Sequence, residues 1–365
     1  MPVRKLTLRP GVDVELTPTL NSAGMSTSQL IRFLSGLPQK YGGWQQMTSV
    51  LLTGICRGMH GWSDLNGTPY LALGTNEKLQ LLSGGALYDI TPVRYTSNNA
   101  PSVSTTSGST QVTIVDSANG AAIGDWINIA THISVGGIVL FGGYQVVTTP
   151  GANDYTITAP TAATATITNG GAVASYATTL GTGVVTVTLA NHGLSVGSSY
   201  TAGVSTTVGG LTISGLYVVA SVLTISTFTI TASASAASTA SASENGGNAQ
   251  IAYLLPTGYA TNVALSGYGA GDYGAGDYGI AGSGTFTALL RQWSITHFGQ
   301  DMIASPSGGS IYYWSPPNLS SAVVLSSTAP IYNNVVFSME QAEILIAAGA
   351  ESGGTLQPTL IRWCD

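Results

Sequence analysis

The segment that most constrains the fold is residues 51–92, where short apolar runs alternate with turn residues such as Asn66-Gly67. Connections this short force antiparallel pairing, because a parallel return needs a crossover of about a dozen residues. The segment therefore predicts one four-stranded antiparallel sheet. One sheet cannot bury both of its faces alone, so further sheets are expected. The predicted strands are Gly54–Trp62, Tyr70–Leu73, Lys78–Leu82 and Ala86–Ile90.

The same alternation returns twice near the end of the chain. Residues 289–315 contain three strand-like runs separated by glycine turns, and residues 334–363 repeat the pattern. Trp314 and Trp363 occupy matching places 49 residues apart, which falls within the period of roughly 40–50 residues typical of propeller blades. We therefore predict an all-β protein with β-propeller blades, the first at 51–95.

Composition supports an all-β fold and limits the partners. Charged residues make up 7% of the chain, and 47 glycines accompany many Thr, Ser and Val residues, which favours strands and tight turns. The net charge is −6, and none of the ten Lys and Arg residues lies between positions 95 and 290. Phosphate binding depends on clustered Lys and Arg, so we expect no specific binding of nucleic acid.

Signals for metals, disulfides and targeting are weak. Cys56 and Cys364 lie far apart, which predicts neither a disulfide framework nor a zinc site. No apolar run of signal-peptide length follows Met1, and none reaches the ~20 residues of a membrane span. We expect no metal, no cofactor and assembly in a cytoplasm.

Residues 1–50 are predicted to form an extended N-terminal arm. Leu6–Leu16 alternates apolar and polar residues, as an extended strand does. Ser28–Leu34 fits a strand or a short helix, and the pattern does not decide between them.

Pro38 and its neighbouring glycines argue against regular structure over residues 36–44. We expect a loop there that delivers Trp44 into the core of the first blade. Residues 253–365 are expected to form a Gly-rich loop followed by further blades.

Residues 96–252 interrupt the blades and contain an internal duplication. Seven identities recur at a constant offset of 73 residues, among them Gly136-Gly137 at Gly209-Gly210 and Tyr144 at Tyr217. So many identities in one register predict two related domains.

The two copies span about 105–172 and 178–248. Each alternates turn glycines with strand-like runs, which predicts a small β-sandwich or barrel of about 70 residues. The Ala/Ser/Thr-rich tract 232–243 is expected to be a loose connection inside the second copy.

Gly193-Leu-Ser195-Val-Gly197 fits the nucleophile-elbow pattern of esterases. An elbow needs a strand before it, a helix after it, and a later acid and His. The residues that follow are poor helix formers, and the first copy has Ala122 in place of Ser195. We therefore interpret the motif as a turn of the repeat and expect no enzyme.

The tandem Gly-Ala-Gly-Asp-Tyr of residues 269–278 matches a dinucleotide-binding pattern, but no βαβ unit surrounds it. It is interpreted as an extended loop, either a subunit contact or a mobile surface segment. Its Tyr273 and Tyr278, together with Trp44, are the candidate assembly contacts. Asp272 and Asp277 supply too few oxygen ligands for a Ca²⁺ site.

Several motifs carry a resemblance. They are PGVDVELTPTLNSAG (10–24), IRFLSGLPQKYGGW (31–44), GALYDITP (85–92), GYGAGDYGAGDYG (267–279) and LIRWCD (360–365). Over roughly residues 1–95 and 253–365 the chain resembles tail hub or nozzle proteins of short-tailed bacteriophages and related prophages. The resemblance implies a β-propeller assembled as a ring, a hexamer, at the tail tip.

The same resemblance implies an adaptor ring and tail fibres as neighbours. Its members are usually much longer than this chain, which ends directly after a predicted strand. The propeller is therefore expected to be incomplete, either because the chain is a fragment or because something else closes the ring.

These observations predict a structural virion protein of a tail hub or nozzle, assembled in the cytoplasm of the bacterial host and forming part of a ring around the DNA exit channel. DNA would pass through without specific binding. A net-acidic composition is compatible with such a channel, because an acidic wall would repel phosphate, but composition alone does not show which face is acidic. The alternative is a tail adhesin whose duplicated domains bind a glycan or protein of the host envelope, and exposed aromatic residues on the copies would favour it. An enzyme is the third reading.

Overall fold

The structure is a computed structural model that describes residues 9–17, 19–21, 24–43, 45–97, 100–258, 290–339 and 341–364. Its regular elements are β-strands, with one 3-10 turn at Glu244–Gly247. The all-β prediction is confirmed. In the part of the chain that the structure describes, no helix has the length and apolar character that a membrane crossing requires. The chain divides into two compact units, residues 1–49 and residues 50–365.

The first unit contains a β-hairpin of β1 (Ile31–Leu34) and β2 (Leu37–Lys40). Positive φ angles at Ser35 and Gly36, 50° and 77°, suit the tight turn between them. The prediction of no regular structure over 36–44 is therefore wrong. A two-stranded hairpin leaves each strand a free edge, where the missing N–H of Pro38 need not cost a ladder hydrogen bond.

Two other expectations for this unit have different outcomes. Residues 9–16 do not form the expected strand. Within them, Val12 forms an isolated β-bridge with Met25, which lies outside this range. Trp44 lies outside the described residues.

The second unit begins with the predicted four-stranded sheet, called here the first stacked sheet. Its strands pair antiparallel in sequence order, and their bounds lie within two residues of the expected ones. They are β3 (Cys56–Ser63), β4 (Pro69–Thr75), β5 (Leu79–Ser83) and β6 (Ala86–Asp89).

The insertion follows. The strands of its first part are β7 (Val93–Ser97), β8 (Ser102–Thr105), β9 (Gln111–Val115), β10 (Trp126–Val135), β11 (Ile138–Gln145), β12 (Asp154–Thr158), β13 (Ile167–Gly170) and β14 (Ala172–Val173). Those of its second part are β15 (Ser175–Thr178), β16 (Val184–Thr188), β17 (Ser199–Val208), β18 (Leu211–Val218), β19 (Ser221–Thr224), β20 (Thr227–Thr231), β21 (Ala240–Ser243) and β22 (Ile251–Leu254).

Each copy is a two-layer sandwich around its own core. In the first copy the sheet β12-β9-β8-β13 faces β11-β10-β22-β7, and β14 pairs with β10. In the second copy the sheet β19-β20-β16-β15-β21 faces the hairpin β17-β18. Strand β21 shows that the end of the tract 232–243 is regular structure and not a loose connection, because its backbone pairs with β15.

The offset of 73 residues recurs in three dimensions. Strands β8, β9, β10, β11, β12 and β13 have the same lengths and spacing as β15, β16, β17, β18, β20 and β21. The turn glycines Gly136 and Gly209 have φ angles of 54° and 57°. Side chains at Thr105 or Thr178 crowd these glycines, so neither position has room for a Cβ.

Two more sheets follow the insertion. The second stacked sheet, in the order β23-β24-β25-β26, comprises β23 (Trp293–Phe298), β24 (Asp301–Pro306), β25 (Tyr312–Trp314) and β26 (Val323–Val324). The third stacked sheet, in the order β27-β28-β31, comprises β27 (Val335–Met339), β28 (Ile344–Ala348) and β31 (Ile361–Cys364). Between its last two strands lies a small hairpin of β29 (Glu351–Ser352) and β30 (Thr355–Leu356).

The three stacked sheets pack face to face in sequence order. One apolar cluster joins the first and second sheets, and another joins the second and third. Strand β24 serves both, because Met302 and Ala304 enter the first cluster while Ile303 enters the second. This serial packing is consistent with propeller blades.

Candidate functional site

Trp293 fastens the second stacked sheet to the first. Its indole Nε1 donates a hydrogen bond to the carbonyl oxygen of Thr75 at 2.8 Å. A Cβ on Gly74 would overlap the indole ring, and one on Gly58 would come within 2.6 Å of the Trp293 carbonyl oxygen. Both glycines are therefore needed for the close approach of the two sheets.

An aromatic cluster continues this contact. Trp62 Nε1 donates to the carbonyl oxygen of Gln300 at 2.9 Å, and its ring stacks on Tyr70 with centroids 5.5 Å apart. Trp314 meets Tyr70 edge-on, also at 5.5 Å. Such rings stabilise an interface through both buried area and geometry, so this cluster fixes the angle between the sheets.

Polar side chains connect the first strands of the three sheets, β3, β23 and β27, which lie beside one another. His60 Nε2 and His297 Nδ1 are 2.8 Å apart, joining β3 to β23. Thr296 Oγ1 and Ser338 Oγ are 2.7 Å apart, joining β23 to β27. We call this edge, at which β3, β23 and β27 lie side by side, the inner edge.

Ser294 adds a two-way link at the same edge. Its hydroxyl donates to the carbonyl oxygen of Val336 at 2.9 Å and accepts from the Val336 amide at 3.0 Å. Sequence reasoning missed this polar ladder. The available signal was the alternation of Ser294 and Thr296 with Trp293 and Ile295 in a run predicted to be a strand.

The insertion leaves and returns through paired strands, because β7 and β22 are antiparallel neighbours with Ser97 opposite Ile251. Arg94 supports this junction, with its guanidinium 3.7 Å from an Asp125 carboxylate oxygen. Burial raises the pKa of Asp125, and Arg94 and Arg291 oppose that shift. Arg291 also donates to the carbonyl oxygen of Pro256 at 2.8 Å.

The first copy contains a buried network that ties its core to β22. Tyr253 donates to Asp116 at 2.7 Å, and the hydroxyls of Tyr155 and Tyr253 are 3.0 Å apart. Ser97 donates to the other Asp116 oxygen at 2.8 Å. Burial raises the pKa of both tyrosines well above the usual value.

The second copy meets the first at a buried aromatic stack. The ring of His132 lies between Phe141 and Tyr200, at centroid distances of 3.9 and 4.6 Å. The fully buried Glu244 accepts from the His132 amide at 3.0 Å. The Tyr176 hydroxyl lies 2.9 Å from that of Tyr200.

Four acidic residues of the net-negative region are described, and they do not form an acidic surface. Asp116, Asp125 and Glu244 are buried, and Asp154 is half-buried. All four lie in the insertion, and none lies in the stacked sheets. Each buried carboxylate accepts hydrogen bonds inside the fold.

The sequence-predicted site residues Trp44, Tyr273 and Tyr278 lie outside the described residues, as do Asp272 and Asp277. Ser195 lies in an exposed turn that leads into β17, where an esterase elbow would lead into a helix. Within the described ranges, no three His, Cys, Asp or Glu side chains come together as metal ligands.

Trp314 and Trp363 lie on corresponding third strands, β25 and β31. Their side chains, however, point to different faces. Trp314 is 2% exposed in the cluster between the first and second sheets, whereas Trp363 is 72% exposed. The two tryptophans therefore occupy corresponding strands, but they point to opposite faces of their sheets, as a shift of one residue along the strand would produce.

A cleft of about 370 Å³ opens between the second and third sheets. Ile303, Leu325 and Leu345 are among the apolar residues that line it, and Arg362 lies at its rim beside Cys364. The Arg362 side chain donates to the carbonyl oxygen of Thr328 at 3.1 Å, which holds the end of β31 against the turn that follows β26.

Comparisons with known proteins add little to this geometry. No family model matches the chain, and no curated protein matches it. Among solved structures the chain is similar to the endosialidase of phage phi92, at 14% identity and a TM-score of 0.19, over 85% of this chain and 36% of that one. The chain thus spans about a third of that protein's length. A TM-score this low carries no argument about fold or function.

Proposed function

We propose that this chain is a structural protein of a phage tail and forms part of a hub or nozzle ring around the DNA exit channel. The observation that carries the proposal is the serial stack of three antiparallel sheets with their first strands side by side. The resemblance of the motifs at residues 10–24, 31–44, 85–92, 267–279 and 360–365 to those of tail hub proteins supports the assignment to a tail.

The inner edge suits a channel wall that DNA must pass without sticking. Arg57 is the only Lys or Arg on β3, β23 and β27, and its guanidinium lies 3.5 Å from the carbonyl oxygen of Arg291. A wall with so few cations releases few counterions on contact with DNA and holds it weakly. The hydrogen bonds between first strands would keep that wall rigid.

The proposal is tested by imaging particles that carry this chain. A symmetry-resolved reconstruction is expected to find copies in a ring at the tail tip, with β3, β23 and β27 facing the lumen. Copies found on peripheral fibres, or a chain missing from purified particles, would refute the hub assignment. A titration of the purified protein with duplex DNA at physiological salt is expected to show no micromolar binding.

A second candidate is a host-binding module, because the second copy exposes aliphatic side chains that the first copy lacks. Leu216 and Ile225 are 69% and 76% exposed, where the first copy has Gly143 and Ala152. The aromatic residues expected of a glycan platform, such as Tyr200, are instead buried or half-buried in the described copies.

This second function predicts that Leu216→Ser with Ile225→Ser lowers adsorption of particles to host cells while ring assembly is unchanged. The matched control is Val147→Ser with Ile167→Ser, which removes two exposed aliphatic side chains from the first copy. Equal adsorption by both variants would remove the argument for a binding module.

A further inference from the structure

The third stacked sheet has one covered face and one open face. Val336, Leu345 and Ala347 point toward the second sheet and are buried. The alternate positions point away, and the strand register aligns them in cross-strand rows. The rows are Val335/Ala348/Ile361, Phe337/Ile346/Trp363 and Met339/Ile344. We call these eight residues the open face.

The open face is apolar throughout and carries no charged residue. Ile361 is 58% exposed and Trp363 is 72% exposed, and Val335, Phe337 and Met339 are also exposed. Scattered exposed apolar residues are ordinary, but three aligned rows on one sheet form a contiguous patch, and such patches mark interaction surfaces.

The other stacked sheets show what normally covers such a face. The second sheet packs one face against the first sheet and the other against the third. The face of the first sheet that points away from the second is also covered in part, since Leu73 and Leu82 are each 6% exposed. Among the described residues of the second unit, no fourth stacked sheet packs on the open face.

We propose that the open face packs against the same face of a second copy of this chain, as a two-fold pair of sheets. An uncharged apolar face is complementary to itself, and two-fold contacts are the commonest between identical chains. Sheets packed in this way lie ~10 Å apart, and the contact would continue the sheet-on-sheet packing inside the chain. It does not depend on the proposed ring.

The face is small, so the pair should dissociate on dilution. A stable interface buries about 800 Å² on each partner, which is more than a three-stranded sheet of four or five residues per strand readily offers. The proposal therefore predicts a monomer–dimer equilibrium in the micromolar range or weaker.

Sedimentation velocity of the full chain between about 1 and 200 µM tests the proposal. The wild-type mass is expected to rise from one copy to two, while Phe337→Ser with Trp363→Ser stays monomeric. The control, Leu216→Ser with Ile225→Ser, removes two exposed apolar side chains from the insertion and should dimerise like the wild type. Circular dichroism checks that both variants keep the β signal.

Two outcomes would overturn the proposal: a wild type that stays monomeric at the highest concentration, or an open-face variant that dimerises as well as the control. A charge exchange makes the test independent of lost apolar area. Ile361→Lys and Ile361→Glu should each be monomeric alone, because like charges would enter the paired faces. Mixed in equal amounts they should form dimers, and a mixture that stays monomeric would contradict face-to-face pairing.

Discussion

The two copies of the insertion share a strand frame but complete their cores differently. In the first copy β10 pairs on its free edge with β22, which brings Ile251 and Tyr253 into the core. In the second copy the equivalent β17 pairs with β18 alone. The two copies therefore have the same arrangement of strands, but only in the first copy does an additional strand, β22, complete the second sheet of the sandwich.

Substitutions at equivalent positions account for the difference. The second copy has Tyr176 and Tyr200 where the first has the smaller Val103 and Ile127. The hydroxyls of these two tyrosines meet inside the core, as those of Tyr155 and Tyr253 do in the first copy. The comparison teaches that the two copies keep the same strand arrangement. The connection of the first copy to the stacked sheets through β22 determines which residues occupy its core.

The largest expected effect concerns alkaline pH, because each copy holds two buried tyrosines. Burial raises the pKa of Tyr155, Tyr253, Tyr176 and Tyr200 in the folded state. Unfolded tyrosine ionises near pH ~10, so this stability is complete below that pH and is lost as the pH rises above it. Above this pH each tyrosine lowers the free energy of unfolding by about 1.4 kcal/mol per pH unit, and the four together lower it by roughly 5 kcal/mol per pH unit.

Tyr155→Phe, which installs the residue that the second copy has at Phe228, should lower that slope by about a quarter. Urea unfolding between pH 8 and 11 measures it. A slope unchanged by the substitution would mean that Tyr155 ionises as freely in the folded protein as in the unfolded one.

The contact between the copies is tested by His132→Ala. The substitution removes a ring packed between Phe141 and Tyr200, and truncation of a buried aromatic ring costs about 3–5 kcal/mol. The equivalent position in the second copy is the exposed Ser205, and Ser205→Ala should change stability by less than about 0.5 kcal/mol. If the two substitutions lower the free energy of unfolding by the same amount in chemical denaturation, the aromatic stack does not stabilise the contact between the copies.

A smaller effect separates the two tyrosine pairs. Tyr253→Phe removes a hydrogen bond to a carboxylate and should cost about 1.5–3 kcal/mol, whereas Tyr176→Phe removes a bond between neutral hydroxyls and should cost about 0.5–1.5 kcal/mol. Denaturant midpoints at pH 7 compare the two. Equal losses of stability would contradict the account that β22 completes the core of the first copy through the bond between Tyr253 and Asp116, while the second copy completes its core with its own tyrosines.

The positions of turns and strands could be predicted wherever they depend on the residues of the segment itself. The turns at Asn66-Gly67 and at the glycine pairs 136–137 and 209–210 were predicted correctly, because Gly67 and the paired glycines adopt positive φ angles that glycine tolerates without strain. The offset of 73 residues likewise carried over to the strands, since two copies of one pattern fold alike.

Predictions failed where a partner distant in sequence decides the outcome. Nothing local shows that Tyr253 fills the core of a domain that begins more than a hundred residues earlier, or that Asp116 accepts hydrogen bonds inside that domain. The match of Trp314 with Trp363 was correct in strand order, but a shift of one position reverses the face. The pairing of β21 with β15 depends on a strand some sixty residues away, which composition cannot reveal.

The clusters that join the stacked sheets contain no residue of either copy, so the central structural claim is that the sheets fold without the insertion. One deletion tests this claim most directly. Residues 97–250 are replaced by a short Gly/Ser linker, which the adjacent ends at β7 and β22 allow. Thermal unfolding is then followed by far-UV circular dichroism and by the near-UV signal of the buried Trp62, Trp293 and Trp314. The account predicts one cooperative β-sheet transition with the near-UV signal retained. An aggregate without a transition would contradict it, because the copies would then be part of the core of the stack.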